Sequence, residues 1–217
     1  MDWFQPLDIY CERQSIGVWN EPVNALTNLA FIILGFLLAF KTKKDKFSFC
    51  LSNQIIIIGI ASFSFHTFAN PIAGLIDIFS ILLFGMAYIS FVNYKLMKLG
   101  LLISIILALL LIPFSFFIYL VTVFFFGELN GSSWYLSFII LFLIYFFLLK
   151  SKFHELSLTL LFCFIFFSFS LVLRSLDNHL CDLIQVGTHF IWHIMNAILL
   201  SLLVWFFHRS SNLDFDH

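Results

Sequence analysis

Two histidines four residues apart head an apolar run late in the chain, in Gly187-Thr188-His189-Phe190-Ile191-Trp192-His193-Ile194-Met195-Asn196. Helix positions i and i+4 share a face one turn apart, so His189 and His193 point the same way. Such a pair is half of a tetrahedral metal site. Elsewhere in apolar surroundings, Ser62-Phe63-Ser64-Phe65-His66 offers a third imidazole and Gly74-Leu75-Ile76-Asp77-Ile78 a carboxylate. Three neutral imidazoles plus a water make the open, catalytic form of a zinc site, where zinc brings the water's pKa toward neutrality and polarises a carbonyl. Asp77 suits a general acid/base that takes the water's proton and returns it to a leaving amine. Ser62, one turn before His66, suits a donor to the oxyanion of a tetrahedral intermediate, with Ser64 as its competitor. Each residue has a plainer use on its own: a packing histidine, an aspartate moving protons or ions, a serine bonded back to its own helix. His-Glu-x-x-His does not occur, so a zincin-type protease is not indicated.

The elements that must position these groups are membrane spans. The chain has 217 residues, of which 62% are hydrophobic and 11% charged, and its mean hydropathy is +1.04. Apolar segments of about 24–41, 52–69, 73–94, 99–123, 133–149, 156–173 and 184–207 predict an all-α bundle of seven transmembrane helices. Short connections and the absence of repeats predict one domain over 1–217, with 1–23 as an extracytoplasmic N-terminal segment. Met1–Pro22 has no apolar core or small-residue cleavage site and reads as mature chain. Pro113 is expected to kink span four. The 32 phenylalanines read as lipid-facing bulk. A net charge of −1 suggests no nucleic-acid partner, and nothing points to a protein partner.

Basic residues set the orientation. Lys41, Lys43, Lys44, Lys46, Lys95, Lys98, Lys150, Lys152 and Arg209 follow odd-numbered spans; only Arg13 and Arg174 lie on the other side. By the positive-inside rule the N-terminus is outside and the C-terminus cytoplasmic. With alternate spans antiparallel, His66, Asp77, His189 and His193 then share a depth in the outer half. Cys11 and Cys181 fall on the outer side, either as a persistent disulfide or as two free thiols. Cys50 is cytoplasmic and Cys163 lies within span six. The outer segment carries Asp2, Asp8, Glu12 and Glu21 against Arg13, oxygen donors of the kind calcium takes, or else a solvated acidic tail. Arg174 and Asp177, three apart, are expected to form a structural ion pair.

In this order and placement, Tyr10-Cys11-Glu12-Arg13, Trp19-Asn20-Glu21-Pro22-Val23-Asn24-Ala25-Leu26-Thr27-Asn28, Ser62-x-x-x-His66 with Asp77, and Gly187-Thr188-His189-Phe190-Ile191-Trp192-His193 resemble the alkaline ceramidases. These belong to a superfamily of seven-helix membrane hydrolases that also holds the progestin and adiponectin receptors. The Glu-Pro-x-Asn-Ala-Leu-Thr-Asn wording looks most like the bacterial ceramidase-domain branch. The resemblance implies zinc on His66, His189 and His193, Asp77 as acid/base, Ser62 as oxyanion stabiliser and a Cys11–Cys181 disulfide. It also implies calcium in the N-terminal segment, with Glu12 and Glu21 matching acidic ligands, Tyr10 offering its carbonyl, and Gln14 and Asp8 nearby. There the chain departs from the family: Ile9 stands where the family has an aspartate, and the interval from Glu12 to Glu21 is shorter than in eukaryotic members.

The expected function is therefore a multi-pass, zinc-dependent amidase that cleaves ceramide or a similar N-acyl lipid to a sphingoid base and a fatty acid. In a prokaryote it would sit in the inner membrane with its site toward the extracytoplasmic side. The alternatives are a receptor-like or proton-handling seven-helix protein, and a hydrolase of another acyl lipid.

Overall fold

The helices are so uniformly apolar that each is defined by what interrupts it. In the computed structural model, which describes residues 2–15 and 17–213, the main elements are α1 (Pro22–Thr27), α2 (Leu29–Thr42), α3 (Lys46–Phe68), α4 (Pro71–Phe91), α5 (Leu101–Leu109), α6 (Leu111–Phe126), α7 (Leu136–Leu149), α8 (His154–Leu176) and α9 (His189–Leu213). Joined end to end, they give seven helices long and apolar enough to cross a membrane. Residues 214–217 of the expected cytoplasmic tail lie outside the described residues.

Span four breaks as its proline predicts. Pro113 has no N–H for the Leu109 carbonyl and its ring crowds that group. The helix accordingly divides at Leu110, between α5 and α6. Span two starts earlier than hydropathy suggests, because Asp45 caps α3 by accepting the N–H of Phe47 at 3.2 Å. Span seven starts later, at His189 rather than 184: the chain before it turns, with Gly187 at φ +65°. An added Cβ there would collide with the Asp177 carboxylate and with Cys11.

Of span seven, 56% is enclosed by the rest of the bundle, against 22% of span four. Thus α9 is the central post, and α5–α6 lies at the edge of the bundle with Phe124, Phe125 and Phe126 exposed. Phe31, Ile58, Tyr88, Phe142, Leu160, Leu199 and Phe207 belong to the interior cluster around α9.

The two ends of the bundle differ in chemistry. At one end Lys41 lies over the Trp205 ring at 5.4 Å and Lys95 over Phe47 at 5.3 Å, while Asp45 meets His208 at 3.2 Å and Arg209 meets Glu155 at 3.2 Å. Lysines laid over aromatic rings are what a polar membrane boundary favours. The other end carries the N-terminal segment, tied down by Leu7 N–H to the Ala69 carbonyl at 2.7 Å, by Asn178 to the Ile9 carbonyl at 3.0 Å, and by a Cys11–Cys181 disulfide.

Span one reaches that end by lying unusually close to α3. A Cβ on Gly35 would stand 2.6 Å from Ile56 Cγ1, and one on Gly59 would stand 2.7 Å from Ile32 Cγ1 and 3.1 Å from the Asn28 carbonyl. Where lipid tails compete with side chains, such small-residue contacts let helix backbones approach. Gly59→Val should therefore cost about 1–3 kcal/mol through overpacking, read as earlier thermal unfolding in detergent. An unchanged unfolding temperature would show that the close approach is dispensable.

Candidate metal centre

Three local devices bring the histidines to one depth. Ala69, in the left-handed region at φ +40°, ends α3, and its N–H returns to the Phe65 carbonyl at 2.7 Å. Asn70 caps α4 by accepting the Ala73 N–H at 2.9 Å, with Pro71 in the first turn, where a missing N–H costs nothing. This tight corner sets His66, in the last turn of α3, level with Asp77, in the second turn of α4. The third device is Asp177, whose Oδ1 accepts the N–H groups of Thr188 at 2.6 Å and His189 at 2.9 Å, anchoring the start of α9.

The result is a cluster of His66, His189 and His193, each with one potential ligand atom and all of these within 4.8 Å of one another. The three side chains are 1–2% exposed. Three unpaired imidazoles at that burial would be a costly core. Two have their distal nitrogens occupied. His66 Nδ1 lies 2.6 Å from Glu21 Oε2, and His193 Nδ1 lies 3.0 Å from Thr27 Oγ1.

Those partners set the tautomers. A Glu21 carboxylate only accepts, so His66 Nδ1 carries the proton. Thr27 has a single hydroxyl proton, already directed at the Val23 and Asn24 carbonyls at 2.9 and 3.0 Å. Its oxygen therefore accepts from His193 Nδ1–H. Both rings are left with a bare Nε2, the state in which imidazole binds a metal. His189 stacks on Tyr10 at 3.7 Å between ring centroids, and its Nδ1 is buried with no hydrogen-bond partner. Three imidazoles with this placement and an orphaned ring nitrogen could hold a metal ion. The donor set leaves one position of a tetrahedron open.

Asp77 Oδ1 is likewise buried without a partner, and the Ser62 hydroxyl sits beside the same carboxylate. Ser64 turns outward, donating to the Ile60 carbonyl of its own helix at 2.8 Å. The structure thus brings Ser62, and not Ser64, together with Asp77. Beyond Trp192 and Asn196 an apolar cavity of ≈ 90 Å³ runs inward, lined also by Phe31, Ile58, Tyr88 and Phe142.

Two expectations come out differently. Arg174 and Asp177 do not pair. Asp177 accepts the Cys11 N–H at 3.0 Å as well as the two α9 N–H groups. Arg174, 8% exposed, lies instead among the rings of Tyr10, Tyr135 and Trp192 at 5.2–5.5 Å, with its Nε unpartnered. The calcium donors are not assembled either. Glu12 caps α1, accepting the N–H groups of Val23 at 2.6 Å and Asn24 at 2.8 Å. Glu21 serves His66 and Arg13, while Asp8 and Gln14 are exposed. Burial pushes both the Glu12 and Glu21 carboxyls upward, and Arg13 opposes this at Glu21.

Thr27 and the Glu21–His66 contact escape the sequence reading, although both sit in the Glu-Pro-x-Asn-Ala-Leu-Thr-Asn stretch that carried the resemblance. The ceramidase family model matches residues 10–213. No curated protein matches the chain.

Thr27→Val keeps the shape and removes the acceptor for His193 Nδ1–H. Loss of such an outer partner should weaken metal binding about 10–100-fold, measured by competition with a chromophoric chelator, while Thr27→Ser stays near the unaltered protein. Equal affinity in Thr27→Val would remove Thr27 from the site.

Proposed function

The chain belongs to the ceramidase family, and on that premise we propose that it is an integral-membrane, zinc-dependent amidase cleaving ceramide or a similar N-acyl lipid to a sphingoid base and a fatty acid. The observation that carries the reading is the buried group of three imidazoles, two with their tautomers set by Glu21 and Thr27, together with Asp77, which has a free oxygen and meets Ser62 one turn before His66. His66, His189 and His193 would hold the zinc. Bound there, zinc supplies an acidified water and a Lewis acid for a carbonyl.

The remaining work falls to the chain's own groups. Amide cleavage requires one proton to leave the attacking water and another to reach the departing nitrogen, which is otherwise a poor leaving group. Asp77 Oδ1, with no competing hydrogen bond, is the acceptor for the first and, once protonated, the source of the second. The Ser62 hydroxyl donates to the carbonyl oxygen as its charge grows. The apolar cavity under Trp192 takes the start of an acyl chain. Tyr10 and the N-terminal segment cover the other side, keeping bulk water from the reacting atoms.

Orientation follows from the lysine-bearing end. By the positive-inside rule that end would face the cytoplasm and the site the outer side, the inner membrane's extracytoplasmic face in a prokaryote. There a disulfide between Cys11 and Cys181 persists.

Released fatty acid from a labelled ceramide, with other acyl lipids in parallel, tests the substrate. Asp77→Asn should lower kcat by about 10²–10⁴-fold with zinc retained. His193→Ala should lose zinc and activity together. Purified protein without stoichiometric zinc on elemental analysis would end the proposal.

A further inference from the structure

The N-terminal segment is where this chain and the calcium site implied by its family part company. Calcium needs several oxygen donors free to face it. Glu12 is turned to α1, each carboxylate oxygen accepting a backbone N–H, at 2.6 and 2.8 Å, while Ile9 brings no carboxylate and Asp8 and Gln14 are exposed. Glu21 gives Oε1 to Arg13 Nε at 2.6 Å, and Oε2 to His66 Nδ1 at 2.6 Å and Asn24 Nδ2 at 3.4 Å. The Tyr10 carbonyl accepts the Arg13 N–H at 3.1 Å, and the Ile9 carbonyl takes Asn178 Nδ2 at 3.0 Å. These residues do not fit a calcium ion.

A cation is nevertheless present. Arg13 is 6% exposed, and its Nη1 donates to the Gly17 carbonyl at 3.1 Å while its Nε holds Glu21. The charge that a divalent ion would bring is already supplied, covalently, by the segment itself. A calcium ion at Glu21 would have to displace the guanidinium and overcome its repulsion.

We propose that Arg13 is the resident cation of this segment, a positioning residue that acts through Glu21 to hold His66, so that the triad is assembled without calcium. The proposal rests on the reading of the triad as a zinc site. Arg13 touches neither substrate nor metal. It holds the Glu21 carboxylate by Oε1 at 2.6 Å, and Glu21 in turn holds the His66 ring by Nδ1 at 2.6 Å.

The test uses the full-length protein in detergent, with zinc affinity measured by chelator competition and thermal unfolding followed in parallel. Both are read with millimolar calcium and with a calcium-selective chelator. In the unaltered protein neither quantity should move. Arg13→Met should bind zinc about 10–100-fold more weakly. Arg13→Lys should recover only part of the loss, because it keeps the charge but not the fork that spans Glu21 and Gly17. A calcium-dependent gain in zinc affinity or unfolding temperature in the unaltered protein would overturn the proposal, as would undiminished zinc affinity in Arg13→Met. If Arg13→Met does not fold, the calcium comparison and a several-fold loss in Arg13→Lys decide in its place, and undiminished affinity there overturns it. No lipid enters either readout. Absence of zinc from the unaltered protein would sink the amidase reading, whereas a calcium response would sink only this one.

Discussion

An imidazole buried in an apolar bundle keeps a bare lone pair at a chosen nitrogen only when something else takes its proton. That constraint explains more of this molecule than hydropathy does. Glu21 and Thr27 take the protons of His66 and His193, at 2.6 and 3.0 Å. Both acceptors need support of their own, because a buried hydroxyl left unpaired is costly and a buried carboxylate far more so. Arg13 and Asn24 support Glu21, and the carbonyls of Val23 and Asn24 take the Thr27 proton. Glu12 then caps the helix to which Asn24 and Thr27 belong. The short helix α1 is thus a polar insert whose groups answer one another and end on two imidazoles.

Such an insert has to be brought up to the triad, and two features do so. Gly35 and Gly59 let α2 lie against α3 closely enough for α1 to reach His66. Asp177 does the corresponding task from the other side, since its two oxygens take the N–H groups of Cys11, Thr188 and His189. One carboxylate therefore fixes the N-terminal segment and the head of α9 together, and the Cys11–Cys181 disulfide closes the same joint covalently. Gly187 is required there because any Cβ would occupy the space of that carboxylate. Dense local bonding, with a small apolar cluster of Tyr10, Phe65 and Ala73 against which Leu7 and Ile9 pack, holds the loops around the site in position.

How legible this was depends on whether a residue's chemistry was anomalous for its surroundings. His66, Asp77, His189 and His193 stand out as ionisable groups in apolar runs, and alternating helix direction sufficed to set them level. Thr27 does not stand out, because a threonine bonded back to its own helix looks the same whether or not its oxygen also receives an imidazole N–H. Glu21 looked like one more acid in an acidic segment, and only the fold shows it pointing at His66. The Arg174–Asp177 pairing failed for a related reason. Spacing of i,i+3 makes an ion pair available, but three backbone N–H groups with no other acceptor compete for Asp177, and the aromatic faces of Tyr10, Tyr135 and Trp192 receive the guanidinium. Span boundaries slipped where a cap or a turn, rather than hydropathy, ended the helix, at Asp45 and at Gly187.

The position of the site along the bundle also suits the proposed substrate. A lipid amide is polar and its chains are not, so its scissile group would rest near the boundary of the membrane while the chains extend inward. The polar insert lies at one end of the bundle, against the last turn of α3 and the first turns of α4 and α9. The apolar cavity begins beside the imidazoles, at Trp192, and continues inward past Asn196 to Leu199 and Leu203. The ordering along α9, from Asp177-anchored N-terminus to imidazoles to the leucines of the cavity wall, would match the polarity profile of such a molecule. Arg13, Glu12 and Glu21 are buried even at this end, and they are balanced by one another and by the N–H groups of α1. Built this way, the site needs only enough neighbours to hold two imidazoles in one tautomer.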